Sequence, residues 1–427
     1  MATRELTLDQ VDLCDLDTFQ HGDPNEYFDV LRREAPVHWH ERSWGKGFWA
    51  VTKYDDLLNV SIDPYTFVSS RGIVLDNDGV RTAREKRLEE QGGYEMDARG
   101  RMLIMSDPPR HTDLRQLVNK DFTRKGIAYL EAETRKTVTR ILDEVCERGE
   151  CDFVLDMARK LPLEVICELM GVPEGDWESM FEMTNRVIGF DDPEYGEVTE
   201  EISEAEMQLT AETLQYFFGL IADRRENETH DLLSKLVRAD MNGTKLEDID
   251  IYLFFILLII AGNETTRNAT TGGMIALTQH PDQYKLLVDD PSLIPNAVEE
   301  IVRWTSPVMH FVRVASRDTE IRGHKISEGD EVCIWYPSAN RDEDMFENPH
   351  VFDVTRDPNP HIAFGKGEHF CLGANLARLE LRVMFEEICK RMPDIEPAGE
   401  PEKLRSNFIN GVKRWPVTFT PSAPVGG

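Results

Sequence analysis

The chain has 427 residues, 41% of them hydrophobic, enough to bury a large core, and the length alone allows two or three domains. Its 79 Asp and Glu against 48 Lys and Arg give a net charge of −31, which argues against nucleic-acid binding because phosphate contacts need a surplus of Lys and Arg. The acids are spread rather than blocked and so read as a solvated surface, while abundant Leu, Ile, Val and Phe exclude disorder.

Apolar residues at helical spacing predict helices over residues 25–35, 54–61, 111–122, 126–147, 162–170, 203–225, 231–240, 246–278, 292–305 and 374–391. Strand-like runs are shorter: 37–41 and 47–52 as a hairpin, then 310–314, 331–335 and 412–418. Two stretches, 68–107 and 171–201, resist regular structure and read as lids or binding loops. No linker divides the chain. The expected fold is mainly α with small β-sheets, one large domain over 1–427, with a helical core at about 110–305 and 374–391. The β-rich parts are expected at about 36–52, 308–335 and 404–420.

The N-terminal residues hold no apolar signal segment, and the longest apolar run, 251–261, is too short to span a bilayer, so a cytoplasmic protein without a membrane span is expected. The 7 cysteines are scattered with no Cys-x-x-Cys pair, which supports neither a disulfide framework nor a zinc ribbon.

One cysteine stands apart. Cys371 lies in a run from Phe364 to Gly373 in which Gly365, Gly367 and Gly373 permit tight turns and the close approach of a flat partner. An amphipathic helix follows, so Cys371 sits just before a helix N-terminus, where amide N–H groups stabilise a thiolate. A thiolate on haem iron needs this setting. A second segment, Ala261-Gly262-Asn263-Glu264-Thr265-Thr266, ends the greasy half of a long helix. Its small residues leave room for a planar group and a diatomic ligand, and Thr265 can bond back to the Ala261 carbonyl and open the helix. The neighbouring acid and alcohol, Glu264 and Thr265, suit a proton relay.

The chain resembles the cytochrome P-450 superfamily, whose haem-ligand motif is filled in order by Phe364, Gly367, His369, Cys371 and Gly373. Such a match arises by chance roughly once in ten thousand chains of average composition. The segment 261–266 matches the family's oxygen-binding motif. The resemblance implies haem b (iron protoporphyrin IX) with Cys371 as its axial ligand, and Ala261, Phe364, Gly365, His369 and Gly373 against the cofactor. It implies propionate partners at His111 and Arg115, at Arg313, at His361 and at His369, where the family more often has Arg. Glu300, Arg303 and Arg356 match the family's structural ion network. Pocket walls are expected from Leu257, Leu258, Ala261, Gly262 and Thr265, from Val308, Met309 and Phe311, and from Phe408.

The chain looks like soluble bacterial members that hydroxylate terpenoids, methyl-branched lipids and steroid side chains, which implies a monooxygenase acting on an unactivated C–H of a small hydrophobic substrate. No Gly-x-Gly-x-x-Gly follows a strand, so the electrons are expected from an external ferredoxin and its NAD(P)H reductase. Basic residues Arg110, Arg115, Lys120, Arg124 and Lys125, with Lys366, Arg378, Arg382, Lys390 and Arg391, suggest a positive face for an acidic ferredoxin. A peroxide-driven peroxygenase and a haem-based sensor or carrier remain as alternatives; a non-haem metal protein lacks any ligand spacing.

Overall fold

A 32-residue helix, Asp248–Gln279, forms the centre of the molecule. It starts on Asp248 and Asp250, acids that suit the positive end of a helix, and carries no proline. Its first half is apolar on nearly all sides because helices pack around it: Lys160–Met170, Trp177–Ile188, Ile294–Thr305 and Ala374–Arg391. By composition it could cross a membrane, but 61% of its most apolar window is buried inside the protein, as in a core helix. The computed structural model from which this architecture is read describes residues 6–83, 86, 98–196, 204–241 and 243–425.

The helix expected over 126–147 is broken at its start into Arg124–Ile127, a 3-10 turn at Ala128–Leu130 and a helix at Glu131–Asp143. Gly126 lies so close to the preceding turn that a Cβ there would stand 2.3 Å from the Lys120 carbonyl oxygen. Trp177–Ile188, expected to be irregular, is helical. Its buried face carries Thr184 and Asn185 beside Met180 and Phe181, so polar residues interrupt the apolar period. Those polar groups are spent on the central helix: Asn263 Nδ2 donates to Thr184 Oγ1 at 2.9 Å, and Arg267 Nη1 to Asn185 Oδ1 at 3.0 Å. Pro281–Asp289 is a further helix that the periodicity did not suggest, with only Tyr284 and Leu287 buried. Of the expected irregular stretch 68–107, residues 84–85 and 87–97 lie outside the described residues, as do 197–203 of the expected loop and helix beyond residue 196.

The β-rich corner is a five-stranded sheet ordered Val37–His40, Phe48–Val51, Glu331–Trp335, His310–Ala315 and Phe67–Val68. The first two form the expected antiparallel hairpin, with Trp39 opposite Trp49. Phe48–Val51 runs parallel to Glu331–Trp335, and the remaining pairs are antiparallel. The strand expected over 412–418 divides at Trp415 into Val412–Arg414 and Pro416–Thr418, which join different sheets. Trp415 turns inward, 1% exposed, with its ring edge-on to Phe153 at 5.6 Å.

Helix Ile294–Thr305 is fixed to the segment after it by a buried ion network. Arg303 grips Glu300 with two bonds, Nε to Oε2 at 2.8 Å and Nη2 to Oε1 at 2.7 Å, and both side chains are fully buried. Arg356 Nε adds a bond to Glu300 Oε2 at 3.1 Å, and Asn359 another at 3.0 Å. The spare guanidinium hydrogens meet the carbonyls of Asn340 and Pro349, and, from Arg356, of Glu347 and Val351.

Candidate active site

The Cys371 loop is shaped by two glycines in left-handed conformation, Gly365 at φ +70° and Gly367 at φ +71°. Gly367 also passes so near helix Tyr54–Ile62 that a Cβ would meet the Ser61 carbonyl oxygen at 2.4 Å. The Cys371 N–H closes the loop on the Phe364 carbonyl at 2.8 Å, and Gly373 caps helix Ala374–Arg391. Burial pushes the Cys371 thiol up, while the Gly373 N–H and the charges of Arg115 and Arg378 pull it back towards the thiolate. Arg378 is itself held by Glu299 at 2.6 Å and lies over the Phe364 ring at 4.5 Å.

Cys371 opens into an apolar cavity together with Phe364, Gly365, His369 and Gly373. Leu257, Leu258, Ala261, Gly262 and Thr265 of the central helix form another wall, and Val308 and Phe311 extend it. As expected, Thr265 Oγ1 donates to the Ala261 carbonyl at 2.7 Å. Gly262 lets the neighbouring helix approach: a Cβ there would stand 3.0 Å from Ile166 Cγ1.

One end of the cavity is cationic. His111 and Arg115 line it, and the His111 ring lies 4.3 Å from that of His369. Burial, then Arg115, pushes His111 down to about 4; burial, then Arg313, His111 and Arg115, pushes His369 down to about 2. Arg313 is buried and likewise lowered, chiefly by burial. His111 Nδ1 is buried without a hydrogen-bond partner, and Asp107, an acid close by, accepts from the Ser69 and Ser70 N–H groups. Arg115 and Arg313 bring positive charge here, His111 and His369 bring ring N–H donors, and Glu368 stands 3.8 Å from His111, a set that suits two carboxylates. With a glycine-lined slot and a thiol supported by an N–H donor, the residues present fit an iron porphyrin with its two propionates.

Five expected residues are not in the cavity lining, the first being Arg313, which is buried with its Nη1 donating to the Val312 carbonyl at 2.8 Å. His361 is not at the cavity: its Nε2 is 3.1 Å from Glu299 Oε2 and its Nδ1 accepts from the Ala363 N–H at 3.3 Å, so both ring nitrogens are used within the protein. Met309 packs into the core with Phe48 and Trp335 instead of lining the cavity. Phe408 stands behind the wall, its ring edge-on to Phe311 at 5.8 Å. Glu264 is fully buried on the side of the central helix away from the cavity, 2.5 Å from Arg267, and burial raises its carboxyl against that pull. Sequence reasoning also missed Ile166, Tyr336 and Glu380 in the lining and Ser69, which shares a hydrogen bond of 3.0 Å with His369. No local spacing links these residues to Cys371.

A cysteine loop at a helix N-terminus, facing a threonine-opened helix across an apolar cavity with a cationic end, defines a haem-thiolate protein. Residues 288–403 match the family model described as Cytochrome P450. The chain is 41% identical over 433 aligned residues to a methyl-branched lipid omega-hydroxylase of Mycobacterium tuberculosis strain H37Rv, covering 97% of this chain and 96% of that protein. It is 38% identical to a steroid C26-monooxygenase of Mycolicibacterium smegmatis, covering 93% and 91%. Among solved structures, a Mycobacterium marinum cytochrome P450 in complex with pseudoionone superimposes with a TM-score of 0.86 at 35% identity, over 98% of this chain and 100% of that one. The chain belongs to the cytochrome P450 family and is a P450 monooxygenase with haem as its cofactor.

Proposed function

We propose that the chain is one haem-thiolate monooxygenase domain that hydroxylates an unactivated C–H of a hydrophobic substrate, a methyl-branched lipid, terpenoid or steroid side chain, using O2 and two electrons from a ferredoxin. The observation that carries this reading is the apolar cavity shared by Cys371 and Thr265, with Leu257, Leu258, Val308 and Phe311 on its walls. The similarity to lipid and steroid hydroxylases supports the substrate class. A reducing, cytoplasmic setting suits seven free cysteines.

Haem bound at Cys371 supplies oxygen activation and C–H hydroxylation. Cys371 Sγ would ligate it, the Gly373 N–H would tune the thiolate, and His111, Arg115 and His369 of the lining, with Arg313 close to them, would hold the propionates. The apolar walls orient the substrate and exclude water. Thr265 Oγ presents a hydroxyl to the cavity, while the Glu264 carboxyl, raised by burial and pulled down by Arg267, stands on the other side of the central helix.

Electrons arrive at a narrower basic face than the charge count suggested. Arg110 is spent on Asp250, Arg378 on Glu299, Arg382 on Glu131 and Glu386, and Arg391 on Asp143. Lys120, Arg124 and Lys125 are exposed and, among the described residues, without an ion pair. Their segment is tied to the first turn of the helix after Cys371 by Asn375 Nδ2 donating to the Phe122 carbonyl at 2.9 Å. An acidic ferredoxin suits this face.

The test is turnover with NAD(P)H, reductase and ferredoxin after a substrate-binding difference spectrum across terpenes, branched fatty acids and steroids. A type of substrate that shifts the Soret band and yields an alcohol supports the reading. Product formed only with added peroxide would select the peroxygenase, and no turnover at all a sensor or carrier. Cys371→Ser abolishes the thiolate-type band of the reduced carbon monoxide complex; retention of that band would remove Cys371 as ligand.

A further inference from the structure

Outside the haem cavity, the residues that precede helix Leu16–His21 meet the hairpin of the β-rich corner, and Asp12, Cys14 and His40 come together there. Their oxygen, sulfur and nitrogen atoms all lie within 4.8 Å of one another, and no other three His, Cys, Asp or Glu among the described residues do so. The His40 ring is fixed in place. Its side chain is 6% exposed, it stacks on Phe48 at 4.9 Å, and its Nε2 accepts the Leu13 N–H at 2.9 Å. That bond puts the lone pair on Nε2 and the ring proton on Nδ1, which is buried with no hydrogen-bond partner. Nε2 stands 3.6 Å from Asp12 Oδ1, which accepts from the Cys14 N–H at 2.9 Å. Two acceptors thus face each other with no hydrogen bond between them. Zinc bonds of about 2.0–2.1 Å at a tetrahedral angle set two such ligand atoms roughly 3.4 Å apart, so the gap matches the ion. The charges nearby also call for a cation. Asp12, Asp76 and Glu331 act on the Cys14 sulfur against Arg42, which is already bonded to Glu331 at 2.8 Å.

We propose that Asp12 Oδ1, Cys14 Sγ and His40 Nε2 bind a zinc ion, with water as its fourth ligand. Sulfur and imidazole donors select zinc over calcium or magnesium, and three protein ligands leave one tetrahedral position to solvent. On binding, the Cys14 S–H bond breaks, its proton leaves to solvent and an S–Zn bond forms, with no change of oxidation state. The Nε2 lone pair passes from the Leu13 N–H to the metal. The ion clips the N-terminal residues to the hairpin. Leu13, between two of the ligands, is fully buried, and its carbonyl accepts from Asn407 Nδ2 at 2.8 Å, so the clip also steadies the segment that carries Phe408. None of the three ligands lines the haem cavity, so the proposal stands independently of the monooxygenase reading.

The experiment uses the full-length holoenzyme, in which haem engages Cys371, stripped of free metal with a chelator and titrated with zinc chloride. Wild type is compared with Cys14→Ser and Asp12→Asn, substitutions at residues that are not buried. Wild type is expected to take up zinc, and both variants to weaken it by roughly 100-fold, the upper end of what loss of a ligand's own hydrogen-bond partner costs. Zinc raises the thermal midpoint of wild type and leaves that of the variants in place. Alkylation by iodoacetamide, located by mass spectrometry, gives a direct readout. Cys146, Cys151, Cys167, Cys333 and Cys389 are buried, so Cys14 is the thiol that reports, and zinc is expected to protect it. Equal zinc affinity in all three proteins, as scattered surface histidines would give, overturns the proposal. So does alkylation of Cys14 unchanged by saturating zinc, or equal protection by magnesium chloride, which would mean that the sulfur and nitrogen donors take no part. If a variant does not retain its haem spectrum, the wild-type alkylation with zinc and with magnesium decides by the same criteria.

Discussion

Thr265 Oγ1 donates to the Ala261 carbonyl oxygen at 2.7 Å, so the hydroxyl that lines the cavity is oriented by the helix turn directly beneath it. A threonine bonded back in this way loosens the local helix and leaves its oxygen able to accept and pass on a proton. Thr265→Ala removes the hydroxyl and keeps the cavity's apolar character. The expected outcome is peroxide release per NAD(P)H rising at the expense of product, with substrate affinity and haem content unchanged. Coupling equal to wild type would move the proton path away from Thr265.

The Glu300 network is predicted to be a matter of stability. Arg303 is fully buried and paired with Glu300, so Glu300→Gln strands a guanidinium in the core. Breaking a buried pair in this way costs about 3–5 kcal/mol. Denaturant titration measures it. Arg303→Lys is also expected to destabilise, because an ammonium cannot reproduce the two-point grip on Glu300 or reach the Asn340 and Pro349 carbonyls together.

Glu299 makes a pH prediction. Burial alone raises its carboxyl, but hydrogen bonds from His361 and Arg378 outweigh that and hold it at about 2, below its ordinary 4.5. A carboxyl lowered in the folded state contributes stability that is present above pH 4.5 and is lost as the pH falls towards about 2. Glu299→Gln therefore flattens the acid limb of the stability curve and lowers stability at neutral pH. Thermal unfolding from pH 7 to pH 3 tests this; parallel curves for variant and wild type contradict it.

Reversing charge at Lys120, Arg124 or Lys125 should raise the apparent KM for ferredoxin while leaving substrate binding spectra alone. The same KM should rise with salt, because exposed charges are screened beyond about 8–10 Å at physiological ionic strength. A KM indifferent to salt and to all three reversals would place the partner on another face.

What the sequence revealed was what short segments encode by themselves. The Cys371 loop and the Ala261–Thr266 turn are local devices, in which glycine placement and a back-bonding threonine act within a few residues, and both stand where expected. Helix Trp177–Ile188 was hidden because its inner face is partly polar, and Thr184 and Asn185 make sense only beside Asn263 and Arg267. His361 stands apart from the cavity for a related reason: its partner Glu299 comes from a helix 62 residues earlier, and nothing near His361 points to it. Glu380 looks like any surface glutamate of an amphipathic helix until the tertiary packing buries it.

The close pass of Gly262 and Ile166 has its own consequence for selectivity. Because Ile166 both touches the central helix and lines the cavity, its bulk sets how far that helix stands from the opposite wall. Trimming Ile166 to Val removes one methyl from this contact, whereas Gly262→Ala requires the Ile166 side chain to give by a few tenths of an ångström. Two residues that take no part in the chemistry thus act as a gauge for which carbon of a flexible chain comes to rest beside the reacting centre.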